Sequence, residues 1–209
     1  MLNLPKISLG SRNRLLIGLD ITTSSIKLIE LSKSGDQYRV ESYAAEPTPH
    51  GSVNEKAVVD ANMVGDAIRR ATRRAGVRGK DCAVAISGDA AITKVIQMPR
   101  NLRDSELESQ VEMQADQYIP FPMDEVSYDF EVLGASEKDT DTNDVLLVAT
   151  RTENVEQRQA AVSAAGLTAK IVDVDGNAVA DVAIDARMVR KDWVRNSGVT
   201  LGSASNVSV

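Results

Sequence analysis

The chain has 209 residues, a formal net charge of −6 and a pI near 4.9, a balance that argues against nucleic acid as its main partner. One cysteine and one histidine exclude an internal disulfide, a histidine-based catalytic triad and a usual zinc site. With 43% apolar residues the chain can bury a real core as one domain or two small lobes, and no apolar run approaches the roughly 20 residues needed to span a bilayer.

Residues 1–14 are mixed and polar, without the apolar centre of a signal peptide, and read as a tail. Residues 17–21, 26–31 and 38–44 read as three consecutive antiparallel strands, separated by turn signals at 22–25 and 34–36. The first turn is unusual. Asp20 closes one apolar run, Lys27 opens the next, and Thr22, Thr23, Ser24 and Ser25 lie between them. Small hydroxyl residues let a turn backbone approach a ligand, so successive N–H groups, hydroxyls and a nearby lysine can cradle an anion. The same residues also suit a plain hydroxyl-rich hairpin turn with no ligand. Both readings stand at this level.

Two prolines and a glycine make 46–51 a loop. Ala61, Val64, Ile68, Ala71 and Ala75 then recur at helical spacing, and Gly76 is placed to stop the helix. Arg69, Arg70, Arg73 and Arg74 on its other side read as a solvated face near the C-terminus, where cations suit the helix dipole. The apolar run 82–86 predicts a fourth strand with Cys82 as a small buried residue of a reducing compartment, and 87–89 a turn.

A second unit begins near Ala91. Residues 92–97 alternate as a strand ended by Pro99, and Ser105 with Glu108 forms a capping-box pattern ahead of an amphipathic helix. Leu107, Val111, Ala115 and Tyr118 line one side of that helix. Glu106, Glu108, Glu112 and Asp116 make the rest acidic, but no basic or nucleophilic partner accompanies them, so they predict no acid–base chemistry. Pro120 and Pro122 stop the helix, and strands at 127–133 and 145–150 flank a polar loop. A helix over 154–165, with Val155, Gln159 and Val162 on one side and Gly166 at its end, leads to a strand over 169–174. Residues 178–189 have helical character. Residues 196–209, rich in Ser, Gly, Asn and Val, predict a disordered tail.

Asp20, Thr23 and Lys27 fall on the first phosphate motif of the actin-like ATPase superfamily, with Thr22 where glycine is commoner. The segments 91–99, 115–122 and 170–175 resemble the PilM family, cytoplasmic actin-like proteins of type IV pilus assembly. The resemblance runs from about Leu15 to about Ala180. It implies an α/β fold: an actin-like (ribonuclease H-like) lobe with an inserted small α+β domain of the kind shared with the cell-division protein FtsA. The lobe then comprises 15–89 and 152–189, the insert 90–151, and the tail 190–209. It also implies a phosphate-binding set of Asp20, Thr22, Thr23, Ser24 and Lys27 for ATP and Mg2+. No second acid-plus-glycine hairpin follows Asp175, so the second actin-like lobe is expected to be missing and useful ATPase activity is not expected.

The partner implied by the family is the N-terminal cytoplasmic peptide of the inner-membrane protein PilN, held in the cleft between lobe and insert. That would place the chain at the inner face of the inner membrane, within the pilus platform, with self-association open. A nucleotide-binding component and a non-functional truncated fragment remain the alternatives. Tyr118 to Pro122 fits a peptide anchor and a packed helix stop equally well.

Overall fold

In a computed structural model, residues 14–34, 37–54, 57–175 and 200–202 are described, and they build two units, each around its own core. The first opens with a meander of β1 (Arg14–Ile21), β2 (Ser25–Ser34) and β3 (Gln37–Pro47), followed by α1 (Ala61–Ala75) and β4 (Asp81–Ser87). The chain returns to this unit through α3 (Thr152–Ala164) and β8 (Thr168–Asp175). The strands form one sheet in the order β3-β2-β1-β4-β8-β9, where β9 is Thr200–Gly202. β1, β4, β8 and β9 run parallel, and the β1–β2–β3 meander is antiparallel.

Alternation fixes the faces. Ile17, Leu19 and Ile21 of β1 pack with Ile26 and Leu28 of β2 beneath α1 and α3. β4 is buried from Cys82 to Ile86 without alternation, as expected for a central parallel strand covered on both sides. Asp60 caps α1 by accepting from the N–H groups of Asn62 and Met63 at 3.0 and 2.9 Å. Gly76, at φ 67°, ends α1 in the left-handed conformation, as its position predicts.

The α1 arginines are not a merely solvated face. Arg70 and Arg74 reach the Glu46 carboxylate at 3.0 and 2.7 Å, and Glu46 is buried at the end of β3. Arg69 donates to the Ala164 carbonyl and pairs with Asp66. The sequence pattern showed four cations on one side of a helix; β3 and α3 alongside supply acceptors for three of them, Arg69, Arg70 and Arg74, and Arg73 stays exposed.

The second unit holds β5 (Ala91–Pro99), α2 (Asp104–Ala115), β6 (Val126–Ala135) and β7 (Thr142–Arg151). Its antiparallel sheet has the order β5-β7-β6, and α2 covers one face through Val111 and Ala115 against Met98, Val145 and Leu147. The capping box differs from the expected Ser105–Glu108 pair. The helix starts two residues earlier in the pattern, and Glu106 closes it by accepting from the Arg103 N–H at 3.0 Å. Ser105 is already inside the first turn, and Glu108 is buried.

The helical stretch expected over 178–189 lies outside the described residues. Of the tail expected to be disordered, the described part Thr200–Gly202 is instead a strand, pairing Thr200 with Ile171 along the β8 edge that β4 leaves open. No described helix is long and apolar enough to cross a membrane.

Candidate functional site

The β1–β2 hairpin brings the five motif residues together at the carboxyl end of β1, the end where ligands gather in parallel sheets. Asp20 and Lys27 lie directly opposite in the register. Since Leu19 and Leu28 point under the helices, Asp20 and Lys27 both point to the other face. Lys27 Nζ lies 3.2 Å from Asp20 Oδ2, with side-chain exposures of 40% and 16%. A pair this accessible contributes about 1 kcal/mol or less, so Lys27 can exchange its carboxylate for another anion at small cost.

Thr22, where the superfamily favours glycine, closes the turn. Its hydroxyl donates to the Ser25 carbonyl at 2.8 Å and accepts from the Ser25 N–H at 3.1 Å, and its own N–H also donates to that carbonyl. The turn is held from behind by Thr48, whose hydroxyl donates to the Thr22 carbonyl at 2.7 Å and whose N–H donates to the Ser24 carbonyl at 3.2 Å. Carbonyls are thereby drawn back into the fold. Thr23 and Ser24 stay exposed at the tip, and among the described residues nothing accepts from their N–H groups. This donor set fits a phosphate-like anion: two N–H groups, two hydroxyls and one lysine. No cluster of three or more His, Cys, Asp or Glu side chains suited to a metal ion occurs among the described residues.

Arg158 was not anticipated. It stands on α3 with only 1% exposure, in line with Val155 and Val162 on the buried side where Gln159 was expected. Its Nε donates to the Ala85 carbonyl at 2.8 Å and its Nη1 to the Asn154 carbonyl at 3.3 Å. Burial pushes the guanidinium down to about 10, and the Asp20 carboxylate opposes that fall. It remains a cation at neutral pH. The sequence signal was a charged residue three after Val155 and four before Val162, on an apolar stripe.

The two units meet where the chain crosses between them. Thr150 donates its hydroxyl to the Ala90 carbonyl at 2.7 Å and accepts from Asn154 Nδ2 at 3.1 Å, while the Ser127 and Thr152 hydroxyls lie 3.1 Å apart. Above this joint the small sheet turns one face away from α2. Leu146 stands between Val95 and Glu131 there, and Val148 between Thr93 and Asp129. Leu146 and Val148 are buried, while Val95 is 57% exposed. Burial pushes the Asp129 carboxyl up to about 6, and the nearby Glu131 adds to the rise, against the Phe130 N–H that it accepts. The result is an apolar strip with an acidic margin.

The aromatic–proline run divides its roles. Ile119 is buried in the second core, whereas Tyr118 and Phe121 are 43% and 37% exposed. The Arg151 guanidinium lies 5.4 Å from the Phe121 ring centroid, a cation–π contact.

With this geometry established, comparison with known proteins is informative. The sequence matches the family described as type IV pilus assembly protein PilM over residues 18–199, which takes in both units. The structure is similar to a chain of a solved PilM–PilN type IV pilus biogenesis complex, with 32% identity and a TM-score of 0.69. That match covers 76% of this chain and 47% of the other, so the present chain spans about half the length of its solved relative. A second similar structure is the cytoplasmic domain of Epsl, an inner-membrane component of the type II secretion system of Vibrio cholerae. It is 16% identical with a TM-score of 0.48, covering 76% of this chain and 56% of that one. The first unit is the actin-like lobe and the second its α+β insert, as the resemblance implied.

Proposed function

The chain belongs to the type IV pilus assembly protein PilM family, and from that premise we propose that it is a docking component of type IV pilus biogenesis. Its occupant is the N-terminal cytoplasmic peptide of PilN, held in the cleft between actin-like lobe and insert. The carrying observation is the 32% identical relative, solved in a PilM–PilN complex. The family match spans both units that would flank such a cleft, and each has its own core. An extended peptide gains affinity from backbone contacts and specificity from a few apolar anchors. Val95, exposed on the sheet face away from α2 beside Leu146, is chemically suited to meet such an anchor. Docking of this kind would hold the chain at the inner face of the inner membrane, through its partner.

The test is a titration with a peptide copying the PilN N-terminus, followed calorimetrically. Saturable binding with a dissociation constant well below about 1 mM is expected, and its absence refutes the proposal. A Val95→Lys change should weaken binding at least about tenfold if the strip takes part, since it puts a charge in an apolar contact.

The hairpin supports a second reading, nucleotide binding. Asp20, Thr23, Ser24 and Lys27 furnish a phosphate wall, with bound ATP–Mg2+ supplying the anion that Lys27 and the tip N–H groups receive. Hydrolysis needs preorganised charge around the transferring phosphoryl group, and the hairpin's contribution to it is Lys27 and the tip N–H groups. Nucleotide binding is the reading these residues favour. Submillimolar ATP–Mg2+ affinity that is lost in Lys27→Ala would support it, and affinity unaffected by that change would remove the hairpin from the site.

A further inference from the structure

Among the described residues, the two units have separate cores with no residue in common. The hydrogen bonds that run between them gather where the chain crosses. Thr150 Oγ1 donates to the Ala90 carbonyl at 2.7 Å and accepts from Asn154 Nδ2 at 3.1 Å, and the Ser127 and Thr152 hydroxyls stand 3.1 Å apart. An insert mounted on two neighbouring crossings, without a shared core, takes its angle from whatever fixes those crossings. We propose that Arg158 does so as a positioning residue: its guanidinium clasps the outgoing crossing to the returning one and thereby sets the width of the cleft between lobe and insert. The effect on the cleft rests on the docking reading above, whereas the clasp does not.

The geometry is that of a fork. Arg158 Nε donates to the Ala85 carbonyl at 2.8 Å, and Ala85 lies near the end of β4, just ahead of the 3-10 turn Gly88–Ala90 that leads out to β5. Its Nη1 donates to the Asn154 carbonyl at 3.3 Å, in the first turn of α3, where the chain has just come back from β7. The Asn154 amide passes the tie to Thr150, and Thr150 passes it to Ala90 at the far end of the outgoing turn. Both crossings thus close into one ring of hydrogen bonds and backbone. Packing does not explain the residue. Arg158 is 1% exposed on the same side of α3 as Val155 and Val162, where an apolar side chain would suit burial and a guanidinium is costly. What an apolar residue lacks is a planar set of donors able to hold two carbonyls from separate segments at once. Lysine has the charge without that fork.

The test measures insert orientation and peptide affinity in the full chain. Residual dipolar couplings of the parent are expected to fit a single alignment tensor for both units. In Arg158→Met the lobe and the insert should need two different tensors. The peptide copying the PilN N-terminus should then bind at least about tenfold more weakly, although a side chain this buried cannot touch it. Arg158→Lys should behave like Arg158→Met, since one ammonium cannot hold both carbonyls; a lysine that restores parent behaviour would overturn the fork. Should Arg158→Met fail to fold, Thr150→Val, which opens the ring by removing one hydroxyl, is expected to separate the tensors in the same way. A single tensor in Thr150→Val, or in a folded Arg158→Met, overturns the clasp, and separated tensors with unchanged peptide affinity overturn its role in the cleft. If the parent itself binds no peptide, the docking reading fails and the tensors alone decide the clasp.

Discussion

Gly65 sets how closely α1 approaches α3, and Gly65→Ala tests that packing. A methyl built on Gly65 would stand 2.6 Å from Ala164 Cβ and 2.9 Å from the Ala161 carbonyl oxygen. Neither neighbour can rotate away: one is a methyl fixed to the helix and the other is backbone. The helices must part, and the buried contacts of Val64, Ala67 and Ile68 with Ala161 and Val162 loosen together. Overpacking of this kind costs about 1–3 kcal/mol, here toward the upper end because the obstruction is rigid. Alanine is about 0.8–1.0 kcal/mol better than glycine inside a helix, which offsets part of it. A net loss of about 1–2 kcal/mol is expected, or about 2–8 °C in Tm for a domain of this size. Urea unfolding followed by far-ultraviolet circular dichroism measures it. The swap Gly65→Ala with Ala164→Gly should recover more than half the loss once glycine's own helix cost is subtracted, a non-additivity expected only of touching sites. If Gly65→Ala is as stable as the parent or more so, propensity outweighs contact and the reasoning fails.

Asp129→Asn should stabilise the chain above pH 7 by about 1–2 kcal/mol, the ceiling of about 3 kcal/mol from a carboxyl raised to about 6 being discounted for partial exposure. The sign follows from linkage. Stability from a raised carboxyl is fully present below its unfolded value near 4 and is lost as pH rises through about 6, so the gain must vanish near pH 4. Unfolding curves showing equal gains at both ends of that window would refute it. Thr48→Val removes the donor to the Thr22 carbonyl and should cost about 0.5–1.5 kcal/mol while speeding amide exchange at Thr22 and Ser25; unchanged exchange there would show that the turn needs no backing. Burial pushes the Cys82 thiol up to about 12, so at pH 8 a thiol reagent should modify it only as fast as the fold opens. Rapid labelling of the folded chain would contradict its place in the core.

What the amino-acid order determines here is local. The apolar alternation of β1 and β2, interrupted by a short hydroxyl turn, is enough to set Asp20 opposite Lys27, because a tight turn fixes hairpin register. Asp60 and Gly76 bound α1 by cap chemistry alone. The family motifs also carried the actin-like lobe and its insert, which no periodicity could have supplied. Tertiary structure decided every partner that is distant along the chain. Thr48 backs a turn 26 residues earlier, Arg74 finds Glu46, and Gly65 admits Ala164, none of which leaves a periodic trace. Arg158 was lost for a related reason. Hydrophobic spacing treats a charge on the buried stripe as noise, and only the packing of α3 against β4 brings the Ala85 carbonyl to where that guanidinium ends.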